Sequence, residues 1–62
     1  MPKNFRVMIP GSNSVYVRNR AEADQVARDV MAINGFGYIY TIGKGPSRLV
    51  ARFEPHCGIV EA

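Results

Sequence analysis

Residues Asn4 to Ile9 alternate, with Phe5, Val7 and Ile9 on one side and Arg6 and Met8 on the other. That period of two is the signature of a half-buried strand. Pro10-Gly11 fits the centre of a type II turn, because proline presets the first φ and glycine accepts the positive second one. Val15 to Arg18 then alternates as a short second strand, with Val15 and Val17 opposite to Tyr16 and Arg18. A hairpin joins the two most simply.

The period changes after Asn19. Asn19 is a good N-cap and Glu22 stands three residues later, where a capping-box side chain reaches back to the cap's own N–H. From Ala21 to about Asn34 the apolar positions Ala23, Val26, Ala27, Val30 and Ile33 recur at helical spacing,. Glu22, Gln25, Arg28 and Asp29 stay outside, and Asp24 and Arg28 are spaced to pair at i,i+4,. Asn34-Gly35 ends the helix, with Gly35 expected to take the left-handed closing position. Phe36 to Ile42, rich in aromatic and β-branched residues, predicts a third strand, and the alternating Arg48 to Phe53 a fourth,. Gly43 to Ser47 is the hairpin loop between them. After Pro55, the tail Gly58-Ile59-Val60-Glu61 either adds a short edge strand or packs down. The expected fold is therefore α+β: a four-stranded antiparallel sheet with one helix on one face, in the order ββαββ, with a C-terminal fifth strand left open.

One helix covers one face of such a sheet. If it covers Phe5, Val7, Ile9, Val15, Val17, Leu49, Ala51 and Phe53, parity sends Arg6, Met8, Tyr16, Arg18, Arg48, Val50 and Arg52 to the other side. Parity leaves the third strand undecided. Turning Phe36, Tyr38, Tyr40 and Ile42 inward fills the core better, and turning them outward builds a platform of arginine and tyrosine. Both residue types are enriched at binding hot spots. The candidate partner-binding residues are Arg6, Tyr16, Arg18, Tyr38, Tyr40, Lys44, Arg48 and Arg52.

Length sharpens this picture. A chain of 62 residues makes a single domain, and one this small buries only about 60% of the surface its unfolded form exposes. Below ~70–80 residues, disulfides, a metal or oligomerisation usually help. The lone Cys57 rules out an intrachain disulfide, so self-association is the device that remains, with strand-edge pairing the expected dimer mode. Hydrophobic residues make up 47% and charged ones 21%, a globular balance with no apolar run near the ~20 residues of a membrane span. Met1 to Arg6 has no apolar core of a secretory signal,. With the single cysteine, this points to the cytoplasm. Net charge is +3, and six of the eight cations are arginines, whose planar fork pairs with carboxylate or phosphate and stacks on rings,.

Catalytic and metal chemistry find little support. His56 and Cys57 are adjacent in a turn and cannot easily converge on one tetrahedral ion, while a cysteine nucleophile needs a base and an orienting group. Only Glu54 and Glu61 lie nearby in sequence. Gly43-Lys44-Gly45-Pro46-Ser47 lacks the Walker spacing and opens a strand rather than a helix. No enzyme, cofactor or metal is expected. Asn34-Gly35-Phe36-Gly37-Tyr38-Ile39 resembles the RNP1 stretch of RNA-recognition motifs and cold-shock domains, which implies stacking of alternate aromatics on unpaired bases. It departs from that pattern in having Asn34 for the leading Lys or Arg, in Tyr40-Thr41, and in following a helix directly. In size and layout the whole chain resembles small phage-encoded proteins that block host machinery, anti-CRISPR inhibitors among them. That resemblance rests on architecture and implies a cytoplasmic site of action in the host cell. Two functions follow as expectations: a non-catalytic inhibitor or regulator occupying an acidic or groove-like site on a larger complex, and, as the alternative, a single-stranded RNA or DNA binder.

Overall fold

The computed structural model describes residues 2–62; Met1, the first residue of the Met1 to Arg6 stretch read above for a secretory signal, lies outside them. Five strands and one helix follow in the order β1 (Phe5–Met8), β2 (Val15–Val17), α1 (Arg20–Ala32), β3 (Gly37–Thr41), β4 (Arg48–Glu54) and β5 (Gly58–Glu61). The fold is α+β, with the strands in one antiparallel sheet of order β2-β1-β3-β4-β5. The tail is thus a fifth strand, paired from Gly58 to Glu61 along β4, and the four-stranded ββαββ expectation is corrected to ββαβββ.

Local chemistry places most boundaries. Gly11 has φ +82° and the Ser12 N–H donates to the Ile9 carbonyl at 2.9 Å, the hydrogen-bonded type II turn that Pro10-Gly11 predicts,. At the start of α1, Asn19 accepts from the Glu22 N–H at 2.9 Å. The reciprocal half of the capping box is displaced by one residue: the Glu22 carboxylate accepts from the N–H of Arg18, not of Asn19. At the other end, the left-handed residue is Asn34 (φ 65°) and not Gly35. The Asn34 N–H bonds the Met31 carbonyl and the Gly35 N–H that of Val30, the paired bonds of a Schellman motif with Asn34 at C′,. Gly35 is needed for a different reason, since a Cβ there would lie 2.5 Å from a Val30 methyl.

The core lies between α1 and one sheet face. It consists of Val7, Val17, Ala23, Ala27, Ile39, Ala51 and Phe53, with Phe5, Ile9, Val26, Val30, Met31, Val50 and Ile59 packed around it. Among the described residues, only Phe53, Ile39 and Val7 are large and fully buried. The helix presents alanines to the sheet and so sits close to it. Three expected core residues are displaced. Ile33 is 81% exposed, because it caps the helix with ψ 28° and its side chain leaves the apolar stripe. Val15 pairs with Val7 and shares its side, but at the sheet edge it is only partly covered. Leu49 is turned over by a bulge in β4, described below. No helix among the described residues is long and apolar enough to cross a membrane.

Candidate functional site: the uncovered sheet face

Directly paired residues in antiparallel strands point to the same side, so the register defines what the uncovered face carries. Two rows cross it. One runs Tyr16, Arg6, Tyr40, Leu49; the other runs Met8, Tyr38, Arg52, Val60. Tyr38 and Tyr40 therefore point away from the helix, and the parity that sequence left open is settled by Ile39 and Gly37. Ile39 is fully buried between Val7 and Ala51, where a helix seated on Ala23 and Ala27 leaves room for one aliphatic side chain. Gly37 lies directly under the Phe53 ring, whose Cζ would stand 2.7 Å from any Cβ. Two phenol rings at these positions could not be accommodated.

Arg6 is held within its row. Its Cζ lies 5.2 Å from the centroid of the Tyr40 ring, a cation–π contact, and Nη2 reaches the Met8 sulfur at 3.5 Å,. The Arg6 Nε is buried without a hydrogen-bond partner among the described residues. Arg52 is exposed in the other row.

Two arginines assigned to this face are elsewhere. Arg18 does not continue the alternation past β2: its guanidinium binds Glu22 in the first turn of α1 at 3.0 Å, half exposed. The carboxylate it pairs with is itself favourably placed at the helix N-terminus. Arg48 is moved by an irregularity in the β3–β4 ladder. Ile39 opposes Ala51, but Tyr40 opposes Leu49, leaving Val50 without a partner on β3. This extra residue reverses parity, so Leu49 joins Tyr40 on the open face while Arg48 opposes Thr41 on the helix side,. Val50 in turn packs against the core. Arg48 and Lys44 share a shallow depression at the β3–β4 loop with Thr41, Pro46 and Ser47, apart from the two rows.

At its β4–β5 end the open face sinks into a hollow of about 210 Å³ lined by Phe36, Tyr38, Arg52, Phe53, Glu54, Cys57 and Val60. Phe36 is 48% exposed there. Sequence reasoning named Tyr38 and Arg52 as binding residues but missed Phe36, Glu54, Cys57 and Val60, of which Cys57 and Val60 reach the site only because the tail folds back as β5. The Glu54 carboxylate beside the exposed Cys57 pushes the thiol's pKa up. A thiol kept protonated is a poor nucleophile. Among the described residues, no three His, Cys, Asp or Glu side chains are grouped so as to hold a metal ion.

The charges are segregated. Arg20 bridges Asp24 (Nε to Oδ1, 2.8 Å) and Glu61 (Nη1 to Oε1, 3.0 Å), so Asp24 pairs with Arg20 and not with Arg28, which hydrogen-bonds Gln25 instead. Hydrogen bonds from Arg18 and Arg20 hold the Glu22 and Glu61 carboxyls below the usual carboxylate range. Three of the five acids are thereby engaged on the helix side. The open face keeps Arg6 and Arg52, with Glu54 beside Arg52, while Lys44 and Arg48 stand apart at the β3–β4 loop. Compared with protein-family models, curated proteins and solved structures, the chain matches none.

Proposed function

We propose that this chain is a non-catalytic binding protein whose open sheet face occupies a surface of a larger macromolecular complex, as an inhibitor or regulator acting in the cytoplasm. The carrying observation is the composition of the two rows: three tyrosines, two arginines, Met8, Leu49 and Val60 on a face that no element among the described residues covers. Tyrosine, arginine and methionine are enriched where protein interfaces form, and a mostly apolar centre with a few guanidinium groups suits a protein surface carrying carboxylates. The departure of Arg18 and Arg48 from the face favours this reading over a phosphate-tracking groove. It also fits the architectural resemblance to small phage-encoded inhibitors.

A second reading has its own support. Tyr38 and Tyr40 stand outward on the central strand, where rings could stack on unpaired bases, with Arg6 and Arg52 beside them,. The two readings separate experimentally. Affinity capture from host extract is repeated after nuclease treatment, using the wild type and a Tyr16→Ala, Arg52→Glu variant. The first reading expects a partner that survives nuclease and is lost with the variant while the variant's unfolding midpoint is kept. Loss on nuclease treatment, with affinity falling steeply in salt as counterions are released, would instead identify a nucleic-acid ligand. Capture unaffected by the substitutions would remove the open face from consideration.

A further inference from the structure

We propose that the chain forms a two-fold dimer by antiparallel pairing of β5 with β5 of a second copy, independently of what the open face binds. β5 is the outer strand at one end of the sheet. The Ala62 N–H donates to the Val50 carbonyl at 3.0 Å, which phases the β4–β5 ladder. Val60 exchanges its main-chain bonds with Arg52, so the N–H and C=O groups of Ile59 and Glu61 face outward,. These groups complement themselves. An antiparallel two-fold axis through Val60 sets Ile59 of each copy against Glu61 of the other and makes four main-chain hydrogen bonds. It also brings the two Val60 side chains together on the open face.

Exposed edges in soluble proteins are normally blunted by lysine, proline, a bulge or a charge directed at the approaching strand. β5 carries none of these. Its one charged residue, Glu61, is turned back to Arg20 of its own chain. The opposite edge is less suited: Phe5 and Val7 of β1 take the main-chain bonds of Val17 and Val15, which leaves only Tyr16 of the three-residue β2 facing out.

Two quantities call for a second copy. Among the described residues the core has three large fully buried side chains, in a chain of 62 residues, a size at which oligomerisation commonly completes stability. The open face, five strands ~4.8 Å apart and about five residues long, projects roughly 24 by 17 Å. That is about half of the ~800 Å² per partner in a standard interface. Dimerisation through β5 continues the sheet across the axis, doubles this face and sets the two hollows side by side at Val60.

The test uses the whole chain. Sedimentation equilibrium of the wild type is expected to give twice the 6.9 kDa chain mass; a monomer at up to about 1 mM overturns the proposal. In a Cys57→Ser background, Val60→Cys places two thiols at a non-hydrogen-bonded antiparallel pair, where Cα atoms ~4.5 Å apart fall within disulfide range. With oxidised glutathione, it is expected to form a covalent dimer at least about tenfold faster than Tyr16→Cys in the same background. Equal rates overturn the proposal even if a dimer exists. Val60→Lys is expected to weaken dimerisation at least about tenfold, and circular dichroism above the dimer concentration range establishes that this variant is folded. Should it be unfolded, the cross-linking comparison decides.

Discussion

Replacing Gly37 with alanine puts a methyl carbon 2.3 Å from the Met8 carbonyl oxygen and 2.7 Å from Phe53 Cζ. Ordinary contact begins near 3.4 Å, so β1 and β3 must separate locally by about 1 Å, and the Phe53 ring must move as well. The Ile42 N–H bonds the Asn4 carbonyl, which phases the β1–β3 ladder so that Met8 and Tyr38 exchange both their main-chain bonds. A 1 Å separation stretches that pair beyond hydrogen-bonding range, at about 1 kcal/mol net for each bond. Displacing the ring adds an overpacking cost of about 1–3 kcal/mol. The sum, roughly 3–5 kcal/mol, is set against a total stability of about 3–9 kcal/mol for a chain of this size. Urea unfolding followed by circular dichroism should therefore show Gly37→Ala losing a third or more of the wild-type stability, with a midpoint more than about 12 °C lower on heating. Gly37→Ala within about 0.5 kcal/mol of wild type, the range of an ordinary surface substitution, would refute the account of why β3 turns its tyrosines outward.

Two other outcomes follow from the charged groups. Glu22 and Glu61 have lowered pKa values in the folded chain. As pH falls the unfolded chain takes up these protons first, so the stabilisation is complete above the usual glutamate pKa of about 4.3 and is lost as pH drops through the lower folded values. The melting temperature should fall below about pH 4.5, and less steeply in Glu22→Gln, Glu61→Gln; an equally steep fall would refute the two pairings. Glu54 pushes the Cys57 thiol's pKa up, so Glu54→Gln should shift the pH profile of iodoacetamide alkylation to lower pH, and an unmoved profile would refute that influence.

Much of the fold is written locally. The Pro10-Gly11 turn, the Asn19 cap and the alternation of β1 depend on residues within a few positions of one another, where covalent geometry and single hydrogen bonds decide. The candidate site was legible only in part. Arg6, Tyr16 and Arg52 reach the open face by simple alternation from a buried neighbour. Arg18 and Arg48 do not, because alternation ends where a helix cap competes for the side chain and where a bulge inserts an unpaired residue. Neither event leaves a periodic mark. The hollow was legible only at Tyr38 and Arg52, since Cys57 and Val60 join Phe36 and Glu54 there only when the tail pairs with β4.

By itself, then, the sequence determined the helix, four of the five strands and an arginine and tyrosine surface on the side away from the helix, since each follows from short-range periodicity and turn chemistry, while the fifth strand was left open. Only the tertiary structure decided which face of β3 is buried. Gly37-Tyr38-Ile39-Tyr40-Thr41 alternates equally well in either sense; the choice belongs to Phe53 lying across a glycine and to alanines that bring the helix close, contacts between residues far apart in the chain.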